Sequence, residues 1–90
     1  MGTSQDLMAR LQSEATHCYS WSNGPGDRYA PHSHGYEKVL YCVEGSIKFV
    51  LEDEGRSLDL KPGDRMVLPP GKVHSAVVGS LGCTCIEGRR

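Results

Sequence analysis

Ninety residues carry 10 Lys and Arg against 11 Asp and Glu, a formal charge of −1. A length of that order makes one domain, and such a domain buries only about 60–65 % of its unfolded surface, so the core is thin. The 38 % hydrophobic share is too high for a disordered chain, and the scattered Lys and Arg leave neither a nucleic-acid footprint nor a polybasic membrane signal.

The chain opens with MGTSQDLMARLQSEA, in which Ser4 caps a short helix with Leu7, Met8, Leu11 and Ala15 on its apolar side. This segment lacks an apolar core of signal-peptide length, and no run reaches the 18 apolar residues of a membrane span. A cytoplasmic protein is therefore expected. From Thr16 the pattern changes. Thr16 to Trp21 reads as a strand, and Ser22 to Arg28 is dense in turn formers. Lys38 to Val43 is a strand that turns at Glu44-Gly45 and returns as Ser46 to Leu51. Glu52 to Arg56 turns again. Ser57 to Leu60 and Arg65 to Leu68 are short strands separated by Lys61-Pro62-Gly63-Asp64. After Pro69-Pro70-Gly71 come His74 to Val78 and Cys83 to Glu87, joined by Gly79 to Gly82.

Short strands with turn signals every 8 to 12 residues predict an all-β sandwich or barrel. The expected layout is a single domain over residues 1–90, with a helix and lead-in over 1–15 and a barrel over 16–87. Inside the barrel wall we expect Leu40, Cys42, Met66, Leu68 and Ala76. Val39, Tyr41 and Val43 face the other way and need a cover, either the N-terminal helix or a second subunit. A homodimer through that face is expected. The four cysteines, Cys18, Cys42, Cys83 and Cys85, lie in strand-like apolar surroundings. Cys83-Thr84-Cys85 suggests a zinc or redox pair, but residues two apart on a strand share a face and do not easily close a disulfide. We read them as buried small hydrophobes with free thiols.

Chemistry concentrates in PHSHGYEK, residues 31–38. His32 and His34 are two apart, so on an extended segment both point the same way. His74 lies 40 residues on, at the mouth of another strand. Three imidazoles from two neighbouring strands can hold a divalent first-row metal. His17, in the first strand, reads as a packed or exposed histidine rather than a ligand.

The spacing around these histidines carries more. Gly26-DRYAP-His32-Ser33-His34 is followed by Lys38 and, after six residues, Gly45. Gly63-DRMVL-Pro69-Pro70-Gly71-KV-His74 forms a second pattern. Together they resemble the two motifs of the cupin superfamily, G-x5-H-x-H-x3,4-E-x6-G and G-x5-P-x-G-x2-H-x3-N, over residues 26–78. The resemblance implies a small jelly-roll barrel that holds a metal near one open end through His32, His34 and His74. It also implies dioxygenase- or isomerase-like chemistry on a small organic acid or phenol. The metal would be Fe, Zn, Ni, Cu or Mn. A non-catalytic metal or small-ligand sensor is the rival expectation.

Two positions depart from the family pattern. Val78 stands where the second motif ends in asparagine. The acidic position of the first motif falls on Lys38, counted either forward from His34 or back from Gly45. A regular strand turns Lys38 inward and Glu37 outward, whereas a bulge near Gly35 would make Glu37 the fourth ligand. Glu37 thus joins the candidate metal ligands. A protonated lysine has no lone pair to give. A unit charge about 5 Å from another, at an effective dielectric near 20, interacts by about 3 kcal/mol, and a divalent ion doubles that repulsion. Lys38 therefore leans onto a carboxylate such as Glu37 or Glu44, faces an anionic substrate, or gives up its proton and acts as a base. Lys38 and Tyr36, which follows the histidine pair, are the candidate catalytic residues.

Overall fold

The computed structural model describes residues 4–90. Residues 1–3, part of the expected lead-in, lie outside the described residues. The elements run α1 (Ser4–Glu14), β1 (Thr16–Asn23), β2 (Arg28–His32), β3 (Lys38–Leu51), β4 (Arg56–Leu60), β5 (Arg65–Leu68) and β6 (His74–Arg89). The fold is all-β with one short N-terminal helix, as the sequence predicts. No helix among the described residues is long and apolar enough to cross a membrane.

Two long strands form the spine. β3 and β6 pair antiparallel from Lys38↔Arg89 to Leu51↔His74. The first half of β3 also pairs β5, and its second half pairs β4. In the same way β6 takes β2 along its start and β1 along its end. The result is two four-strand halves that share both long strands, the jelly-roll arrangement.

The two expected hairpins at Glu44-Gly45 and at Gly79–Gly82 are corrected: the chain does not reverse at either place. Both are bends within continuous strands, and the β3–β6 ladder shifts register between Cys42 and Ile47. The glycines that read as turn formers serve a close crossing instead. Gly45 has φ +70° and Gly82 has φ +75°. A Cβ at Gly45 would overlap the carbonyl oxygen of Gly82. Only glycine tolerates both that backbone conformation and that approach. β2 is a further difference, since its Arg-Tyr-Ala-Pro-His sequence gives little strand alternation.

Side chains divide by strand parity. Leu40, Cys42, Met66, Leu68 and Ala76 fill the barrel interior with Ile47, Phe49 and Val78. The buried Val78 takes a purely apolar place at the position where the family motif has asparagine. Cys83 and Cys85 lie in the same interior, and all four cysteines are free. Burial pushes the Cys83 thiol up; hydrogen bonding with Cys42 and then burial push Cys85 up. On the opposite face, Val39, Tyr41 and Ile86 pack under Leu7 and Leu11 of α1. Leu11 is fully buried there, a gain of about 1.5–3 kcal/mol over an exposed leucine. Glu14, at the helix end, fixes the docking: it accepts from Tyr41 Oη at 2.6 Å, from Arg65 Nε at 3.3 Å and from Arg90 Nη1 at 3.3 Å. The apolar face that called for a homodimer is thus covered within the chain.

Candidate metal centre

Three segments bring the histidines together. His32 ends β2 and is the direct cross-strand partner of His74, the first residue of β6. Directly opposed residues on an antiparallel pair share a face, and the two rings lie 4.3 Å apart between centroids. His34 follows on the irregular stretch after β2. Its carbonyl accepts the Gly71 N–H at 2.8 Å, which ties it to the Pro-Pro-Gly turn preceding His74. Gly71 adopts φ +77° in that turn. The ligand atoms of His32, His34 and His74 all lie within 4.8 Å of one another.

Hydrogen bonds fix the tautomers. His32 Nδ1 donates to the Ala30 carbonyl at 2.7 Å, and His74 Nδ1 donates to the Lys72 carbonyl at 3.0 Å. Each neutral ring then carries its lone pair on Nε2. Nε2 of His34 and of His74 are buried without a hydrogen-bond partner among the described residues. Buried polar atoms without partners are rare and call for an explanation. Burial holds both rings below the ordinary histidine range, with the positive charge of Lys38 and the neighbouring imidazoles adding to it. Neutral rings with orphaned, convergent lone pairs fit a divalent transition metal.

The residues beside the histidines fall in definite places. Alternation does not run unbroken from His32 to Cys42, because the chain bends at Gly35–Tyr36 before β3 begins. Within β3, Lys38 still joins Leu40 on the inward face and lines the cavity. Its Nζ is 3.2 Å from Glu87 Oε2, with both side chains more than nine-tenths buried. The expected partners Glu37 and Glu44 are thus replaced by Glu87. Glu37, counted among the candidate ligands, lies outside the cluster, and its carboxylate accepts from Arg90 Nε at 2.6 Å. The reason is parity: Glu37 precedes the inward-facing Lys38 and exits on the other side. Tyr36 stacks near His34, 5.1 Å between centroids, under the Arg89 guanidinium at 4.3 Å. It stands outside the cavity lining. His17 is exposed, with φ 54° and a Thr16 Oγ1 contact at 3.1 Å, far from any ligand role.

A cavity of about 260 Å³ opens beside His32 and His74. Its walls include Trp21, Tyr29 and Phe49, which carry no obvious mark in the sequence. Trp21 and Tyr29 meet edge to face at 5.8 Å. Glu87 is the polar centre of the inner wall: Trp21 Nε1 donates to it at 2.8 Å and Tyr19 Oη at 3.0 Å. Partial burial of Tyr19 and the negative charge of Glu87 push the phenol up to about 12, so it keeps its proton. Strand alternation is the one trace that Glu87 and Trp21 leave in the sequence. Cys83, Cys85 and Glu87 alternate on one inward face, as do Tyr19 and Trp21 on β1.

The family model for the cupin domain matches residues 21–81. The quercetin 2,3-dioxygenase of Bacillus subtilis (strain 168) is 39 % identical over 56 residues, 60 % of this chain and 16 % of that protein. The 3-hydroxyanthranilate 3,4-dioxygenase of Cupriavidus pinatubonensis is 30 % identical over 69 residues, 74 % of this chain and 36 % of that protein. The chain therefore spans well under half the length of these relatives. Among solved structures, the polyketide cyclase RemF from Streptomyces resistomycificus superposes with a TM-score of 0.72 at 30 % identity, covering 80 % of this chain and 52 % of that one. With the matched model spanning most of its length, the chain belongs to the cupin domain family.

Proposed function

We propose that this chain is a metal-dependent cupin enzyme acting on a small organic molecule, with dioxygenase-like chemistry as the leading class. The observation that carries the reading is the pair of buried, partnerless nitrogens, His34 Nε2 and His74 Nε2, aimed at the same point as His32. His32, His34 and His74 would hold the metal. Imidazole donors suit Fe, Zn, Ni, Cu and Mn alike. A metal held there would supply a Lewis acid and, if redox-active, an electron donor. The dioxygenase names of the matched relatives support oxygen chemistry.

The chain's own residues supply the rest. Leu40, Phe49 and Ala76 give the cavity an apolar patch of wall. Trp21 and Tyr29, packed edge to face, give an aromatic corner. Lys38 presents a positive charge to the cavity, held in place by Glu87. The fixed Nδ1 donors of His32 and His74 keep their rings oriented, so a metal meets a preset donor set.

Metal content of protein purified without added metal, followed by oxygen uptake with a panel of small acids and thiols, tests the proposal. One equivalent of transition metal and substrate-dependent oxygen consumption are expected. Tight metal binding with no turnover of any panel compound would instead favour a sensing module. Absence of metal binding at pH 7 would overturn the reading.

A further inference from the structure

The donors and acceptors of the inner wall do not balance. Glu87 is 5 % exposed, accepts hydrogen bonds from Tyr19 and Trp21, and pairs with the Lys38 ammonium at 3.2 Å. Lys38 is 7 % exposed, yet Glu87 is its one ion-pair or hydrogen-bond partner among the described residues. An ammonium has three donors. At least two of them are left over, on a side chain that lines the cavity. A buried cation with spare donors is unfavourable unless something completes its shell.

The cavity around this cation has a definite character. Its volume of about 260 Å³ is just under the usual range of about 300–1,000 Å³ for small-molecule sites. It suits one compact ligand, not a nucleotide-sized cofactor. Trp21, Tyr29 and Phe49 offer ring faces and edges, which favour a flat body. Lys38 and Glu87 cancel in charge, and a divalent ion on the histidines would leave the interior at +2. Both the spare donors and that excess charge select an anion.

We propose that Lys38 is a substrate anchor, and that the cavity takes a small planar aromatic carboxylate whose carboxylate group accepts from Lys38 Nζ. Glu87, Tyr19 and Trp21 are positioning residues that hold the ammonium toward the cavity. The inference rests on the metal-site reading for what the ligand's far end meets, but the anchor itself needs no metal. The lysine standing where the family motif has an acidic residue exchanges a metal ligand for a ligand-binding charge.

Trp21 is the single tryptophan of the chain and lines the cavity, so its fluorescence reports binding directly. Benzoate and benzamide, alike in shape and different in charge, are titrated into zinc-loaded protein and into chelator-treated protein. Benzoate is expected to bind at least about tenfold tighter than benzamide in both, the scale of one charge-assisted hydrogen bond. Lys38→Met/Glu87→Gln, which removes both charges and leaves no unpaired carboxylate, should bring the two ligands within about twofold of each other. Lys38→Arg should keep most of the preference. A wild-type protein that does not distinguish the two ligands, or binds neither, overturns the proposal, as does a double variant that retains the tenfold preference. Failure of the metal reading looks different: zinc is not bound, while the Lys38-dependent preference persists in chelator-treated protein.

Discussion

Glu37 and Lys38 are chain neighbours with opposite destinations. The Lys38 ammonium lies 3.2 Å from Glu87 inside the barrel, while the Glu37 carboxylate lies 2.6 Å from Arg90 Nε outside it. The two charges are separated by the sheet itself. Variants at the two positions should therefore behave independently. Glu37→Gln is expected to leave zinc affinity within about threefold, since distant sites without shared partners act additively. Lys38→Glu would set a second carboxylate against Glu87 and lower stability. Adding Glu87→Gln relieves that repulsion, and the double variant should bind zinc at least about tenfold tighter than wild type, or 1.4 kcal/mol. Calorimetric zinc titration at pH 7 checks all three proteins. Loss of binding in Glu37→Gln alone would show that Glu37 reaches the metal.

The histidine cluster should respond to acid in two ways. Burial holds His34 and His74 below their ordinary value of 6.5, so the unfolded chain takes up protons first. Stability is then fully present above about pH 6.5 and falls as pH drops through the lowered folded-state values. Metal affinity falls over the same range, because only neutral imidazole binds. Thermal melts from pH 8 to 5 should show the decline in metal-free protein, and His74→Phe, with the ring buried and no charge to take up, should flatten it. A His74→Phe melt profile as steep as wild type would remove the histidine as its cause.

Helix docking separates a packing contribution from a polar one. Leu11→Ala, at a fully buried position, should destabilise by about 2–5 kcal/mol. Glu14→Gln weakens the bonds from Arg65, Tyr41 and Arg90 at a partly exposed site. Solvent screening limits its effect to about 1–2 kcal/mol. Urea denaturation measures both. Sedimentation of Leu11→Ala adds a second readout. If α1 is the cover for Val39 and Tyr41, loosening it should increase self-association relative to wild type.

The glycine crossing should be far less forgiving than the glycine turns. Gly55→Ala places a side chain at φ +60° in open space, a strain of about 1–2 kcal/mol. Gly45→Ala adds overlap with the Gly82 carbonyl to the same strain. It should prevent β3 and β6 from pairing through the bend and yield little folded protein. Comparable melting temperatures for the two variants would show that the crossing yields easily.

Much of the site was legible from residue spacing. His32-x-His34 and the turn before His74 give the three imidazoles, and the double count to Lys38 gives the inward lysine. The strand-to-strand partners were not legible. Glu87 lies 49 residues from Lys38, and only the β3–β6 register, Leu40↔Glu87 beside Lys38↔Arg89, brings them to one wall. Gly45 and Gly82 were read as hairpin turns because positive φ serves a turn and a tight strand crossing equally well. Distinguishing these needs the partner strand, which a local pattern does not contain. The helix cover had the same difficulty: the apolar outer face was evident, but not which apolar segment would meet it.

β6 supplies the metal cluster with its first residue, His74, and the cavity wall with Glu87 near its end, and it pairs β3 on both sides of the bend at residues 79–82. The consequence is kinetic. Neither half of the site exists until strands from opposite ends of the sequence have paired, and such non-local closure is the slow part of folding. A chain that has formed only its local turns presents no converged imidazoles, so zinc added during refolding should be captured only in the final phase, at the rate at which β6 completes its ladder.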